Sequence, residues 1–89
     1  MAVNPTRRED IMERRVGKDH MLYDATGRAV HLLNETALFV WERCDGDHAV
    51  QDIISEAESF YKVSREQIQA DVEECLTALR DKALLKDSN

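Results

Sequence analysis

The sequence predicts a small α+β domain, a three-stranded antiparallel sheet followed by three helices in a winged helix-turn-helix-like order. Three observations predict it. The first third of the chain holds short extended runs separated by turn segments too short for a parallel crossover. At Asn34 the apolar pattern changes to a helical repeat and stays helical. Eighty-nine residues suffice for one core only.

Residues Met1 to Asp10 hold the only proline, several charges and no apolar period, so they read as a mobile tail before the domain at 11–86. The first strand runs from Ile11 to Val16, with Met12, Arg14 and Val16 alternating against Glu13 and Arg15. Gly17 to His20 is a turn, and Met21-Leu22-Tyr23 is the second strand. Asp24-Ala25-Thr26-Gly27 is a hairpin turn, with Gly27 placed to take a positive φ. Arg28 to Leu33 is the third strand, rich in branched residues.

Asn34 then caps a helix from Glu35 to Cys44, since its side-chain oxygen can accept an orphan N–H of the first turn. Leu33 and Leu38 are spaced as a hydrophobic staple, and Ala37, Val40, Trp41 and Cys44 form one apolar face. Asp45-Gly46 is the expected stop, with Gly46 left-handed. A second helix covers Ala49 to Tyr61, burying Val50, Ile53, Ile54, Ala57 and Tyr61, with Asp47 as its candidate cap. A third runs from Arg65 to Lys82. Ser64 and Gln67 have capping-box spacing, Val63 and Ile68 staple spacing, and Ile68, Val72, Cys75, Leu76 and Leu79 make the apolar stripe. Ala83-Leu84-Leu85 closes the core, and 87–89 read as a short tail.

Catalytic constellations find no support. Ser55, Ser59, Ser64 and Ser88 fall on helix surfaces, a cap and a tail, with no strained nucleophile turn around them. Cys44 and Cys75 sit on apolar faces and lack the electropositive, partly exposed setting of a reactive thiolate, so a pairing with His20, His31 or His48 is not indicated. The histidines lack the spacing of a metal site, and the three glycines are too scattered to cradle phosphate. No cofactor is expected. The N-terminus lacks the apolar core of a signal peptide and no run reaches the length of a membrane span, which predicts a cytoplasmic protein without a membrane partner.

The net charge of −6 argues against a nucleic-acid partner. The alternative function, a DNA-binding winged helix, needs a basic recognition helix. The third helix instead sets Glu66, Asp71, Glu73, Glu74 and Asp81 against Arg65, Arg80 and Lys82. What remains is a binding surface. A small sheet has edges whose unpaired N–H and C=O groups can recruit an extended peptide. Arg28 to Leu33 fits that role, having no proline and one charge near its start. The same composition equally fits a central or covered strand, or an edge that pairs with its own copy in a weak homodimer.

Leu33-Asn34-Glu35-Thr36-Ala37, Trp41-Glu42 and Cys44-Asp45-Gly46 resemble the LNxTAxxIWxxCDG signature of the PqqD family. The resemblance continues through Val50-Gln51-Asp52-Ile53, Phe60, Ile68, Asp71-Val72, Leu76, Leu79 and Leu84-Leu85, and covers Val16 to Leu85. It departs where Ala49 stands for Thr, Cys75 for Phe and Ala83 for Gly, and the Pro-Glu common in PQQ-pathway members is missing from the Tyr23–Gly27 segment. It therefore points to the wider family and not to that pathway, and the alanine at 83 suggests a longer third helix. The resemblance implies a non-catalytic peptide chaperone. Such a protein binds the leader of a ribosomally made precursor peptide as an added strand and presents it to a modifying enzyme, often a radical SAM enzyme. Carried onto this chain, the strand side of the groove is Ala29, Val30, His31 and Leu32. Its helix side is drawn from Arg65, Ile68, Gln69, Val72 and Leu76.

Overall fold

The computed structural model describes residues 4–86; segments 1–3 and 87–89, parts of the expected tails, lie outside the described residues. Strands β1 (Met12–Val16), β2 (Asp19–Asp24) and β3 (Ala29–Leu33) precede helices α1 (Glu35–Glu42), α2 (Val50–Tyr61) and α3 (Arg65–Asp81). The sheet is antiparallel in the order β1-β2-β3. Its register puts Met12, Tyr23 and Val30 in one row and Arg14, Met21 and Leu32 in the next. Those rows face water, with Met12, Tyr23, Val30 and Leu32 all exposed. Alternation sends Leu22 and Leu33 to the opposite face, where they are buried against the helices. There they meet Val40, Trp41, Ile53, Ile54, Val72 and Leu76 in one core.

Both hairpins differ in detail from the sequence expectation. Gly17 takes φ 62°, so Gly17-Lys18 alone closes the first turn and β2 starts at Asp19, opposite Val16. In the second, the left-handed residue is Arg28 (φ 53°) and not Gly27. Gly27 serves another need: its N–H donates to Asp24 Oδ1 at 3.1 Å, and a Cβ there would lie 3.0 Å from Asp24 Oδ2. The Asp24 side chain organises the turn, leaving the positive φ to the next residue.

The helix caps follow local chemistry. Asn34 Oδ1 accepts the Ala37 N–H at 2.8 Å, and Ser64 Oγ accepts the Gln67 N–H at 3.2 Å. Gln67 does not complete a box; its amide reaches forward to Asp71 at 3.2 Å. Asp45, not Asp47, organises the approach to α2, its Oδ1 accepting the Asp47 and His48 N–H groups at 2.9 and 3.2 Å. Ala49 has no side-chain acceptor, and Asp52 takes the Ala49 N–H at 3.0 Å. Helix α1 ends at Glu42, so Gly46 (φ 86°) belongs to the loop beyond its cap, Arg43.

Helix α3 is not lengthened by Ala83. Leu84 N–H bonds Leu79 C=O at 3.0 Å and Ala83 N–H bonds Arg80 C=O at 2.9 Å, the paired bonds of a Schellman stop. Ala83 is left-handed there (φ 58°), a region where its Cβ is crowded. Ala83→Gly is therefore expected to stabilise the fold by about 0.5–1 kcal/mol, partly offset by glycine's unfolded-state freedom. A urea midpoint that falls or stays put contradicts this.

The segment Asn4–Arg8, read from sequence as tail, is held by the residues that follow α1 and α3. Arg7 N–H bonds Cys44 C=O at 2.7 Å, Arg8 N–H bonds Leu84 C=O at 3.1 Å, and Lys86 N–H returns to Thr6 C=O at 2.7 Å. Gly46 N–H bonds Pro5 C=O at 3.1 Å, and Pro5 is buried. Its partners are distant in sequence, so no local pattern announces them.

Candidate functional site

Strand β3 is an edge. It pairs with β2 on one side, and no described strand pairs with the other. On an open edge, alternate residues point their N–H and C=O groups outward. Val30 and Leu32 stand 53% and 61% exposed beside that edge, while Ala29 and His31 are half-buried on the inner face. The strand carries no charged side chain of its own.

Helix α3 runs antiparallel to β3. At one end Arg8 Nη1 donates to Asp24 Oδ2 at 3.0 Å and to the Ala83 carbonyl at 2.9 Å. That brings the exit of α3 beside Ala29, the strand partner of Asp24. At the other end the Tyr61 hydroxyl donates to the Glu35 carbonyl at 3.4 Å, tying the α2–α3 corner to the residues after β3. Helix α1 packs against both β3 and α3.

Of the five expected helix residues, three are core and one is engaged by α2. Ile68, Val72 and Leu76 are at most 2% exposed and point into the core. Arg65 turns to α2, donating to Gln51 at 2.9 Å and to Ser55 and Glu58 at 3.2 Å. Gln69, one turn later on that flank, is half-buried. The opposite flank of the stripe carries Asp71, Cys75 and Ala78, each half-buried. Their spacing at i, i+4 and i+7 was available in the sequence as the signal for a row bordering the core.

Cys75, on the flank beside Asp71, is a shifted thiol. Burial pushes the Cys75 thiol pKa up, and Asp71 and Glu74 push it the same way, so the group stays a neutral thiol. Among the described residues no three His, Cys, Asp or Glu side chains converge to hold a metal ion. No described helix is long and apolar enough to cross a membrane.

His48 links the loop after α1 to α2. His48 Nδ1 lies 2.9 Å from Asp45 Oδ1 and its Nε2 lies 3.0 Å from Glu56 Oε2, so both nitrogens face carboxylates. The hydrogen bond to Asp45 raises the His48 pKa above 6.5, and the same contact lowers Asp45 to about 2. A raised histidine stabilises the fold fully below pH 6.5 and loses that stabilisation as pH climbs through its folded value. A depressed carboxylate stabilises above 3.8 and is lost as pH falls toward 2. Between those limits the clamp from the end of α1 to α2 is strongest. Wild type is expected to lose stability above pH 6.5, and His48→Gln to remove that loss, read from urea midpoints across pH. Parallel wild-type and variant profiles there contradict it.

The family model for coenzyme PQQ synthesis protein D (PqqD) matches residues 19–85. Two solved structures share the fold. One, TbiB1 in complex with the TbiA(beta) leader peptide, superposes with a TM-score of 0.81 at 17% identity, covering 94% of this chain and 98% of that one. The other, lasso peptide synthetase B1 complexed with the leader peptide, gives a TM-score of 0.82 at 21% identity, covering 94% of this chain and 99% of that one. No curated protein matches the sequence.

Proposed function

Since the chain belongs to the PqqD family, we propose that it is a non-catalytic peptide chaperone whose β3 edge receives a precursor-peptide leader as a fourth strand. The observation that carries this is the unpaired β3 edge with Val30 and Leu32 beside it. Main-chain hydrogen bonds to the edge supply affinity, and side chains on either face of the added strand supply selectivity. The two similar structures were each solved with a leader peptide, which supports the same reading here.

The proposed site on this chain takes Ala29, Val30, His31 and Leu32 of β3 as its strand side and the half-buried row Asp71, Cys75 and Ala78 of α3 as its border. Ile68, Val72 and Leu76 support that border from the core. An outward-facing residue of the guest beside Val30 extends the row Met12–Tyr23–Val30, and one beside Leu32 extends Arg14–Met21–Leu32. The role is proximity. A leader held at micromolar affinity, about −8 kcal/mol, keeps the peptide at its modifying enzyme without any group of shifted pKa. The family resemblance suggests a radical SAM enzyme as that partner.

The test is a titration of isotope-labelled protein with candidate leader peptides. Amides of Ala29 to Leu33 and of Asp71 to Ala78 shift together, while those of β1 stay. Shifts gathered on β1, or on the helical face away from β3, overturn the assignment.

A further inference from the structure

The cleft between α1 and the end of α2 is an unassigned feature separate from the β3 edge. We propose that it is a second binding site, taking an arginine side chain presented by a partner protein. Glu35, Leu38, Phe39, Glu42, Phe60 and Tyr61 line a cleft of about 260 Å³. Leu38 and Phe39 are its floor on one face of α1. Phe60 and Tyr61 are its wall, their rings perpendicular with centroids 4.9 Å apart. Phe39 packs on both, at 5.2 and 5.5 Å.

Two features call for an occupant. Phe60 is 67% exposed, although Phe39 beside it is buried. A solvent-facing phenyl ring on a buried aromatic cluster is apolar surface left uncovered. The cleft also ends in carboxylates: Glu35 and Glu42 lie two helical turns apart on the α1 face that lines it. Among the described residues the Glu35 carboxylate has no ion-pair partner, and the Glu42 carboxylate has Arg43 at 4.0 Å, while Arg7 donates to the Glu42 carbonyl at 3.3 Å.

Aromatic walls between two carboxylates suit a flat organic cation. A guanidinium stacks on ring faces and offers donors in opposite directions, which an ammonium does less well. The chain shows this chemistry next door. Arg43 lies 3.6 Å from the Phe39 ring centroid, outside the cleft, and is fixed there by the Phe39 carbonyl at 3.1 Å and Glu56 at 3.0 Å. It satisfies its own side of the cluster and leaves the cleft side open. Both glutamates are exposed at the rim of the cleft, where their negative field favours a cationic occupant over a purely apolar one.

The test uses the whole chain, with N-acetyl-arginine methylamide as probe and its neutral isostere N-acetyl-citrulline methylamide as control. Aromatic side-chain NMR signals of Phe39, Phe60 and Tyr61 are followed. The arginine probe gives saturable shifts confined to these rings, about tenfold weaker with citrulline. A Glu35→Gln/Glu42→Gln variant, checked for fold by circular dichroism, loses the preference and keeps the wild-type β3 edge. Equal response to both probes, shifts spread over the acidic surface, or no saturable shift at all overturns the proposal. So does concentration-dependent self-association abolished by the same variant, which would make the occupant a second copy. The β3 edge takes no part in this readout, so the two sites fail or stand separately.

Discussion

Proline at Val30 and proline at His31 are expected to have opposite consequences. The two residues are neighbours on an edge strand, so the N–H of one points to β2 and that of the other points to the open side. Proline removes the N–H and puts a ring in its place. On the β2 side it deletes a ladder bond and destabilises the fold by on the order of 2–3 kcal/mol. On the open side a proline is tolerated, as edge strands commonly tolerate it. There it deletes one main-chain bond to the guest and blocks its approach, weakening leader binding by about tenfold or more. The expected pattern is thus one variant with wild-type melting and poor binding, and one with poor melting. Fluorescence anisotropy of a labelled leader and thermal denaturation read the two axes. Wild-type affinity in both variants would mean that the peptide is held by side chains or elsewhere, and strand addition would fail.

That experiment also tests what the sequence could not decide. The composition of Arg28 to Leu33 fits an edge or a covered strand equally, because exposure of one side of a strand is a property of its neighbours. Local signals were legible where the physics is local. Asn34 and Ser64 cap because each accepts an N–H three residues ahead, and the α3 stripe is buried because its period matches the helix. The readings that changed are one turn, where two local residues compete, and those that depend on distant partners. Arg28, not Gly27, takes the positive φ because the Asp24 carboxylate holds Gly27 from across the turn. Asn4 to Arg8 is ordered by carbonyls of Cys44 and Leu84. Arg8 then reaches Asp10, the nearly buried Asp24 and the Ala83 carbonyl together, joining the entry, the sheet and the end of α3. The proposed helix wall turns on the same limit. Period alone marks Ile68, Val72 and Leu76 as one ridge, but the depth of the core beneath α3 decides whether a ridge lines a groove or fills the interior.

Trp41→Ala is expected to be the most damaging single change, because α1 is the wedge that holds both walls of the site. Trp41 is 1% exposed, and its helix packs on β3 and on α3. Truncation removes the largest buried side chain and costs about 3–5 kcal/mol. A chain of this size holds only about 5–10 kcal/mol in total, so most or all of the margin is lost. The indole adds a second, opposing term. Its Nε1 is buried with no hydrogen-bond partner among the described residues, and an unmet buried donor costs about 1–3 kcal/mol. Phenylalanine discards that donor while keeping most of the apolar bulk. Trp41→Phe is therefore expected to lose less than about 2 kcal/mol and to retain peptide binding, whereas Trp41→Ala loses both. Circular dichroism must carry the measurement, since Trp41 is the only tryptophan and fluorescence disappears with it. Equal destabilisation by the two substitutions would show that shape at this position outweighs the unpaired donor. A stable alanine variant that still binds would show that the wedge does not hold the β3 edge in place.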